Sequence, residues 1–295
     1  MTTQRWLITG ASGQLGSHVV HHLTQLPDPA AICAWGRRPG IAVAGLEIQG
    51  VDLANAAAIR AATEAFRPTH VLHLGALTAV GACHADPAAA EQINVVATQT
   101  LAQAAPAARF IFASTDMVFD GQSAPYRESD PPCPLSHYGR SKLAAEQALH
   151  EFEHVLIVRL PLMYGFPCAP RDTTFVQQMA ALRAQQPLRL FTDEYRTPVW
   201  LADAARALIG LAQSDLTGLI HVAGPERLSR YDLVARCAQV LGMSEDTLIG
   251  ISRNDIAAAE PRPEDLSLDR SQLAQHYPEL VPGPLRAEAL QNPLT

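Results

Sequence analysis

The chain has 295 residues, 48% of them hydrophobic and 17% charged, with a formal net charge of −7. That suits one large or two interlocked globular domains with a sizeable core, and an acidic balance without a long basic run argues against nucleic-acid binding. Five scattered cysteines (Cys33, Cys83, Cys133, Cys168 and Cys237), with no CxxC pair, fit reduced thiols in a cytoplasmic protein better than a disulfide framework; no apolar run approaches membrane-spanning length, and a first strand beginning by Arg5 leaves no room for a signal peptide.

The apolar pattern predicts a strand over Arg5–Thr9 and a helix over Gln14–Leu26. Between them lies Thr9-Gly10-Ala11-Ser12-Gly13-Gln14-Leu15-Gly16, a GxxGxxG variant of the dinucleotide fingerprint. Glycines there let the backbone turn tightly against a pyrophosphate, and the helix behind them offers free N–H groups and a favourable dipole. A second strand, Ala31–Trp35, runs into Gly36-Arg37-Arg38. An acidic residue at this place would bind the ribose 2′-hydroxyl of NAD. Two arginines instead offer donors to a 2′-phosphate, so NADPH is expected over NADH; the plainer reading is a solvated basic turn. A third strand is expected over Leu46–Asp52 and a helix over Ala56–Phe66. Asp52-Leu53 would contact the adenine, its carboxylate accepting from the amino group, unless Asp52 caps the helix. The strand His70–Ala76 ends in Leu74-Gly75-Ala76, small enough for a cofactor to lie across the carboxyl edge.

A helix over Pro87–Ala105, a strand over Arg109–Ser114, a helix over Ser136–His150 and a strand over Val155–Leu160 come next. Beyond Gly165 the pattern loosens: helices are expected over Phe175–Gln185, Leu201–Gln213 and Arg230–Leu241, strands over Leu188–Phe191 and Gly218–Ala223. The fold class is therefore α/β, a Rossmann-type doubly wound parallel sheet with a smaller C-terminal α/β substrate lobe. Residues 1–165 are expected to form the NADP-binding domain, with 201–222 returning to it, and 166–200 and 223–295 the substrate-binding lobe.

Chemistry is carried by Tyr138-Gly-Arg-Ser-Lys142. On a helix the phenol and the ammonium share one face, one turn apart. A cation beside the phenol favours its ionised form, which makes the tyrosine a usable proton donor or acceptor. The strand before it runs into Phe112-Ala-Ser-Thr-Asp-Met-Val-Phe-Asp-Gly121, placing a hydroxyl near the same point.

On these motifs the chain resembles an extended short-chain dehydrogenase/reductase and, more narrowly, the dTDP-4-dehydrorhamnose reductase group, with its TGAxGQLG turn, STDYVFDG strand exit and YGxxK helix. The resemblance continues through Pro125–Asp130, Arg159–Gly165, Gly218–Gly224 and Arg262–Asp269. It implies that Thr115 hydrogen-bonds the substrate carbonyl, Ser114 lying one residue too early, and that Tyr138 delivers the proton. Lys142 would hold the nicotinamide ribose and depress the tyrosine pKa. Asn94 matches an asparagine of the group, although helix packing explains it equally well. Asp116, Arg196 and Arg262 would face a nucleotide-diphospho-sugar, the two guanidiniums suiting its diphosphate; ordinary ion pairs are the alternative for both arginines. A homodimer through two outer helices is the group's pattern.

Two departures stand out. Met117 occupies the usual tyrosine position, and Pro282-Gly-Pro-Leu-Arg286 lacks a tryptophan common in the group. A thioether cannot serve as the base of a dehydratase, and an epimerase would keep NAD bound, against the two arginines. The group also includes the regulatory beta subunit of methionine adenosyltransferase, so a binding role is the reading from another class. The expected function is NADPH-dependent reduction of a nucleotide-linked 4-keto-6-deoxy sugar. His70 and His73 lack a third group at ligand spacing, so no metal site is expected.

Overall fold

A computed structural model describes residues 4–26, 30–37 and 39–294. Its centre is a seven-stranded, all-parallel sheet in the spatial order Gly218–His221, Val155–Leu160, Arg109–Thr115, His70–His73, Arg5–Thr9, Ala31–Gly36, Gln49–Gly50. Strand direction of progress reverses at Arg5–Thr9, with the second strand on one side and His70–His73 on the other. That reversal opens a crevice at the carboxyl edge, where ligands of such sheets bind. Val155–Leu160 is buried at every position, as expected of a strand covered on both faces.

One face is covered by the helices Gln14–Thr24 and Leu201–Ala212. Their apolar stripes (Val19, Val20 and Leu23; Ala204, Leu208 and Leu211) join one continuous core. The other face takes Ile59, Leu101, Ala145 and Leu149 from three further helices. The Rossmann-type sheet is thus as the strand–helix alternation implies. A separate apolar cluster gathers Phe166, Phe175, Met179, Leu182, Leu190, Leu233, Cys237 and Leu248. It lies beneath two small ladders, Leu188–Phe191 with Leu248–Ile251 and Tyr195–Arg196 with Leu228–Ser229. All five cysteines are free thiols. Among the described residues no helix is long and apolar enough to cross a membrane.

Among the elements that differ from the sequence reading, three lie in the first half of the chain. The stretch expected as one strand over Leu46–Asp52 is divided: Leu46–Glu47 folds back on Ala42–Val43, and only Gln49–Gly50 joins the sheet edge. Gly45, at φ +81°, makes that reversal cheap. The strand expected to reach Ala76 ends at His73, because the Thr9 hydroxyl takes the Leu74 and Gly75 N–H groups (3.1 and 2.9 Å) away from any ladder. The helix expected over Pro87–Ala105 contains a π-helical turn at Gln92–Val96 and is preceded by a helix absent from the sequence reading, Val80–Ala85. π turns inside helices are frequent at functional sites.

The first turn leaves no room for a side chain at Gly10, Gly13 or Gly16. A Cβ on Gly16 would stand 2.1 Å from the Gly10 carbonyl oxygen. Gly16→Ala is therefore expected to lower stability by about 1–3 kcal/mol, read by urea denaturation of the cofactor-free protein.

Candidate active site

Because the strands are parallel, Thr115, Gly75, Gly10 and Arg37 lie at or just beyond strands that end on the same edge of the sheet. From the Thr115 strand to the Arg37 strand is three spacings, about 14 Å. This places a hydroxyl at one end of a row, small residues in the middle and a cation at the other end.

The middle is shaped for close approach. Gly10 has φ +65°, and a Cβ there would meet Gly75 N at 2.8 Å. The Gly13 N–H closes the turn on the Gly10 oxygen at 2.8 Å. Gly13 caps the helix Gln14–Thr24 with no side-chain bond to its first amides, so Gln14 and Leu15 begin an uncapped, electropositive helix end. Ser12 reaches towards the end of the second strand, its Oγ 3.0 Å from where a Gly36 Cβ would be. Leu53 crosses Gly75, its Cδ1 2.8 Å from where a Gly75 Cβ would be. Ala76 is next, half-buried. Arg37 is exposed; Arg38 lies outside the described residues. Asp52 accepts the Ala54 N–H at 2.9 Å, while Asn55 caps the helix Ala56–Phe66 by accepting from Ala58, so the cap considered for Asp52 belongs to Asn55. A glycine cradle, an open helix end and a neighbouring cation fit a dinucleotide phosphate chain.

At the other end, the helix His137–Ala148 is pressed onto the exit of the Thr115 strand. A Cβ on Gly139 would stand 2.2 Å from the Met117 carbonyl oxygen, so only glycine permits the approach. Ser136 caps the helix by accepting the Gly139 N–H at 3.0 Å. The Thr115 hydroxyl donates to Asp116 Oδ1 at 3.1 Å and accepts the Met117 N–H at 3.2 Å. Burial pushes the Tyr138 phenol well above the ordinary tyrosine range; the Thr115 hydroxyl, bonding to it, works the other way, and the Asp116 carboxylate adds to the rise. Lys142 is 2% exposed, donates to the Ala113 oxygen at 2.7 Å and lies 3.8 Å over the Phe112 ring. Burial brings its pKa down to about 7, against the pull of Glu146 one turn later. The lysine bonds the backbone of the Thr115 strand, and the phenol is shifted up rather than down. That is the correction to the sequence reading, which assigned Lys142 the task of depressing Tyr138.

Ser114 is engaged elsewhere: its hydroxyl donates to Glu146, which holds Arg159 through two bonds of 3.0 and 2.7 Å. Asn94, in the π turn and 1% exposed, clamps Leu77 through both its N–H and its C=O, and donates to Ser141 Oγ at 2.9 Å. It thus fixes the Tyr138 helix against the loop after His73. Gly139, Glu146 and Arg159 escape sequence reasoning; the one available signal was the glycine directly after the tyrosine.

Asp116 is buried, and burial raises its pKa against the opposing pull of Arg196. Arg196 is also buried, with Nε 3.2 Å from Asp116 Oδ2 and Nη2 3.3 Å from Glu194. The open guanidinium fork expected at Arg196 is met instead by this internal ion pair, although Asp116 Oδ2 lacks a well-directed hydrogen bond. Arg262 is more open, at 37% exposure, packed 5.0 Å from the Phe191 ring centre and 3.8 Å from Glu194. It lines a cavity of about 370 Å³ with Arg253, Asn254, Ile256 and Glu260. A larger cavity, about 590 Å³, lies behind the helix among Glu128, Glu146, His150 and Arg159 and contains none of Thr115, Tyr138 or Arg262. The candidate site at the sheet edge is therefore separate from this larger cavity.

Comparison with known proteins shows the family of the chain. The RmlD substrate binding domain family matches residues 4–286. The dTDP-4-keto-6-deoxy-D-glucose reductase of Streptomyces niveus is 29% identical over 267 residues, covering 88% of this chain and 87% of its own. Methionine adenosyltransferase 2 subunit beta of Xenopus tropicalis is 30% identical over 286 residues, covering 92% and 81%. The dTDP-4-dehydrorhamnose reductase of Bacillus anthracis, solved in complex with NADP, superposes with a TM-score of 0.82 at 24% identity, covering 94% of each chain.

The depressed Lys142 pKa has a consequence for stability. In the unfolded chain a lysine stays charged to about pH 10.4. The folded protein therefore carries the full penalty of the buried ammonium below about pH 7 and loses it as pH rises from about 7 towards 10. Between pH 7 and 9 the cofactor-free wild type should gain about 2 kcal/mol relative to Lys142→Met, measured by chemical denaturation of both proteins at each pH.

Proposed function

The chain belongs to the RmlD substrate binding domain family, and from that premise we propose that it catalyses NADPH-dependent reduction of the keto group of a nucleotide-activated 4-keto-6-deoxy sugar. The observation that carries this reading is the gathering of Thr115, Tyr138 and Lys142 at one end of the row whose middle is the Gly10 cradle. The reduced nicotinamide, when bound, supplies the hydride. Thr115 and Tyr138 donate hydrogen bonds to the carbonyl oxygen, and Tyr138 releases its proton there as the alkoxide forms. A phenol held protonated by burial is in the right state to give a proton in the reductive direction. Lys142 would take the nicotinamide-ribose hydroxyls beside the Ala113 carbonyl. The under-bonded Asp116 Oδ2 would accept a sugar hydroxyl, with Arg196 holding the carboxylate in place. Arg262, at the mouth of its cavity, would meet the diphosphate.

Arg37 sits where a 2′-phosphate would lie and an acidic residue is lacking, which supports NADPH over NADH. Replacing Arg37 by alanine should weaken NADPH binding about tenfold and leave NADH binding unchanged, as read by isothermal calorimetry with each cofactor. Equal loss for both would remove the basis of the preference.

A regulatory role is the second reading, favoured by the similarity to the methionine adenosyltransferase beta subunit, which equals that to the reductase. One comparison decides between them. With a dTDP-4-keto-6-deoxy sugar, Tyr138→Phe should slow NADPH consumption about 100-fold or more while NADPH affinity holds. Wild-type protein that binds NADPH but consumes none across a panel of such sugars would favour the regulatory reading.

A further inference from the structure

Three side chains from distant parts of the chain meet beside Tyr138. His84 ends the helix Val80–Ala85, His137 begins the helix that carries Tyr138, and Glu260 stands in the proline-rich loop before Arg262. One ligand atom from each lies within 4.8 Å of the other two. His137 Nδ1 is 2.7 Å from Glu260 Oε1, and His84 Nδ1 is 3.7 Å from the same oxygen. The two rings meet edge-on, with centroids 5.6 Å apart and planes at 69°. Both imidazoles thus direct the same nitrogen at one carboxylate.

That carboxylate is unusual in its surroundings. The Glu260 side chain is only 5% exposed. Oε1 accepts the His137 N–H at 2.8 Å and the His137 ring at 2.7 Å, yet Oε2 is buried with no hydrogen-bond partner. An unpaired oxygen on a buried carboxylate costs free energy, and a cation relieves it most fully. Two imidazoles and a carboxylate form a donor set suited to a zinc-class ion, which takes three protein ligands and leaves a fourth position to water. Ligand atoms at bond lengths of about 2.0–2.2 Å around a tetrahedral centre stand roughly 3.3–3.5 Å apart. The 2.7 and 3.7 Å nitrogen-to-oxygen separations bracket that range and no two ligand atoms are more than 4.8 Å apart, so side-chain rotations within the cluster bring all three to an ion.

We propose that His84, His137 and Glu260 form a binding site for a zinc-class divalent cation that ties the loop before Arg262 to the helix that carries Tyr138. The site competes with Arg140. Its Nη2 lies 3.1 Å from His137 Nδ1 and 3.4 Å from Glu260 Oε1. The Arg140 side chain is 49% exposed and also donates from Nη1 to the Leu135 oxygen at 3.2 Å, so it can turn from the cluster as the ion arrives. The competition gives the proposal a second sign: removing the guanidinium must strengthen metal binding, whereas removing a ligand must weaken it.

The experiment is calorimetric titration of chelator-treated, full-length protein with Zn²⁺, with Co²⁺ absorption as a report on tetrahedral geometry. The wild type should bind one equivalent. Affinity should fall at least about 100-fold in His84→Ala and in Glu260→Gln and rise in Arg140→Gln. NADPH affinity and circular dichroism establish that each variant is folded. Should Glu260→Gln fail that control, His84→Ala decides, since its side chain is 43% exposed on a short surface helix. Absence of saturable binding in the wild type overturns the site. So does undiminished binding in His84→Ala, which would place the ion elsewhere, such as at the adjacent His21 and His22. Metal binding is read without substrate, so an inactive reductase would leave this result standing.

Discussion

The site exists because one helix comes closer to the sheet than an ordinary side chain permits. Gly139 presents no Cβ to the Met117 carbonyl, and Lys142 reaches the Ala113 carbonyl three residues further along the same helix. These two contacts bring the phenol at Tyr138 against the hydroxyl at Thr115. They also take the ammonium and part of the phenol out of water, and this desolvation is the main cause of both pKa displacements. Close backbone approach and desolvation both follow from one glycine placed next to one tyrosine.

Buried ion pairs stand on both flanks of this contact. On one side Glu146 holds Arg159 in a two-point bond and takes the Ser114 hydroxyl. On the other Asp116 and Glu194 share Arg196, and Glu194 reaches on to Arg230 at 3.0 Å. Burial of paired charges returns little net stability, because desolvation offsets the attraction. Their effect here is geometric. Ser114 and Asp116 are each tethered to a separate charge cluster, so Thr115 between them has one orientation. Ser114, the neighbouring hydroxyl, is withdrawn from chemistry by the same arrangement.

Much of this is legible in the residue order. Continuous apolar strands alternating with amphipathic helices specify a parallel sheet, and the glycine spacing from Gly10 to Gly16 specifies what lies at its edge. Tyr138 and Lys142 are readable because helical periodicity alone puts them on one face. The illegible parts depend on contacts between distant segments. Nothing local to Arg196 announces that Asp116 will occupy its guanidinium, and nothing near Leu46 says that Gly45 will turn the chain back. The effect of Lys142 departs from the sequence expectation for a similar reason. Proximity in the helix favours an ion-stabilised phenolate, but burial, a property of the whole fold, outweighs it and leaves both groups closer to neutral. The meeting of His84, His137 and Glu260 joins three distant segments and has no sequence signature at all.

The π turn at Gln92–Val96 constrains how this chain can vary in length. Such a turn accommodates one residue more than the α-helix around it. Deleting one residue there would restore regular winding and leave the helices on either side in place, but the turn itself would be rebuilt. Asn94 lies inside the turn, so its bonds to Leu77 and Ser141 depend on the extra residue, while the Ala97–Ala104 helix would keep its seat on the sheet. Insertions and deletions should therefore accumulate in the surface connections and spare this segment, whose residue count is as strictly determined as the identity of Asn94 itself.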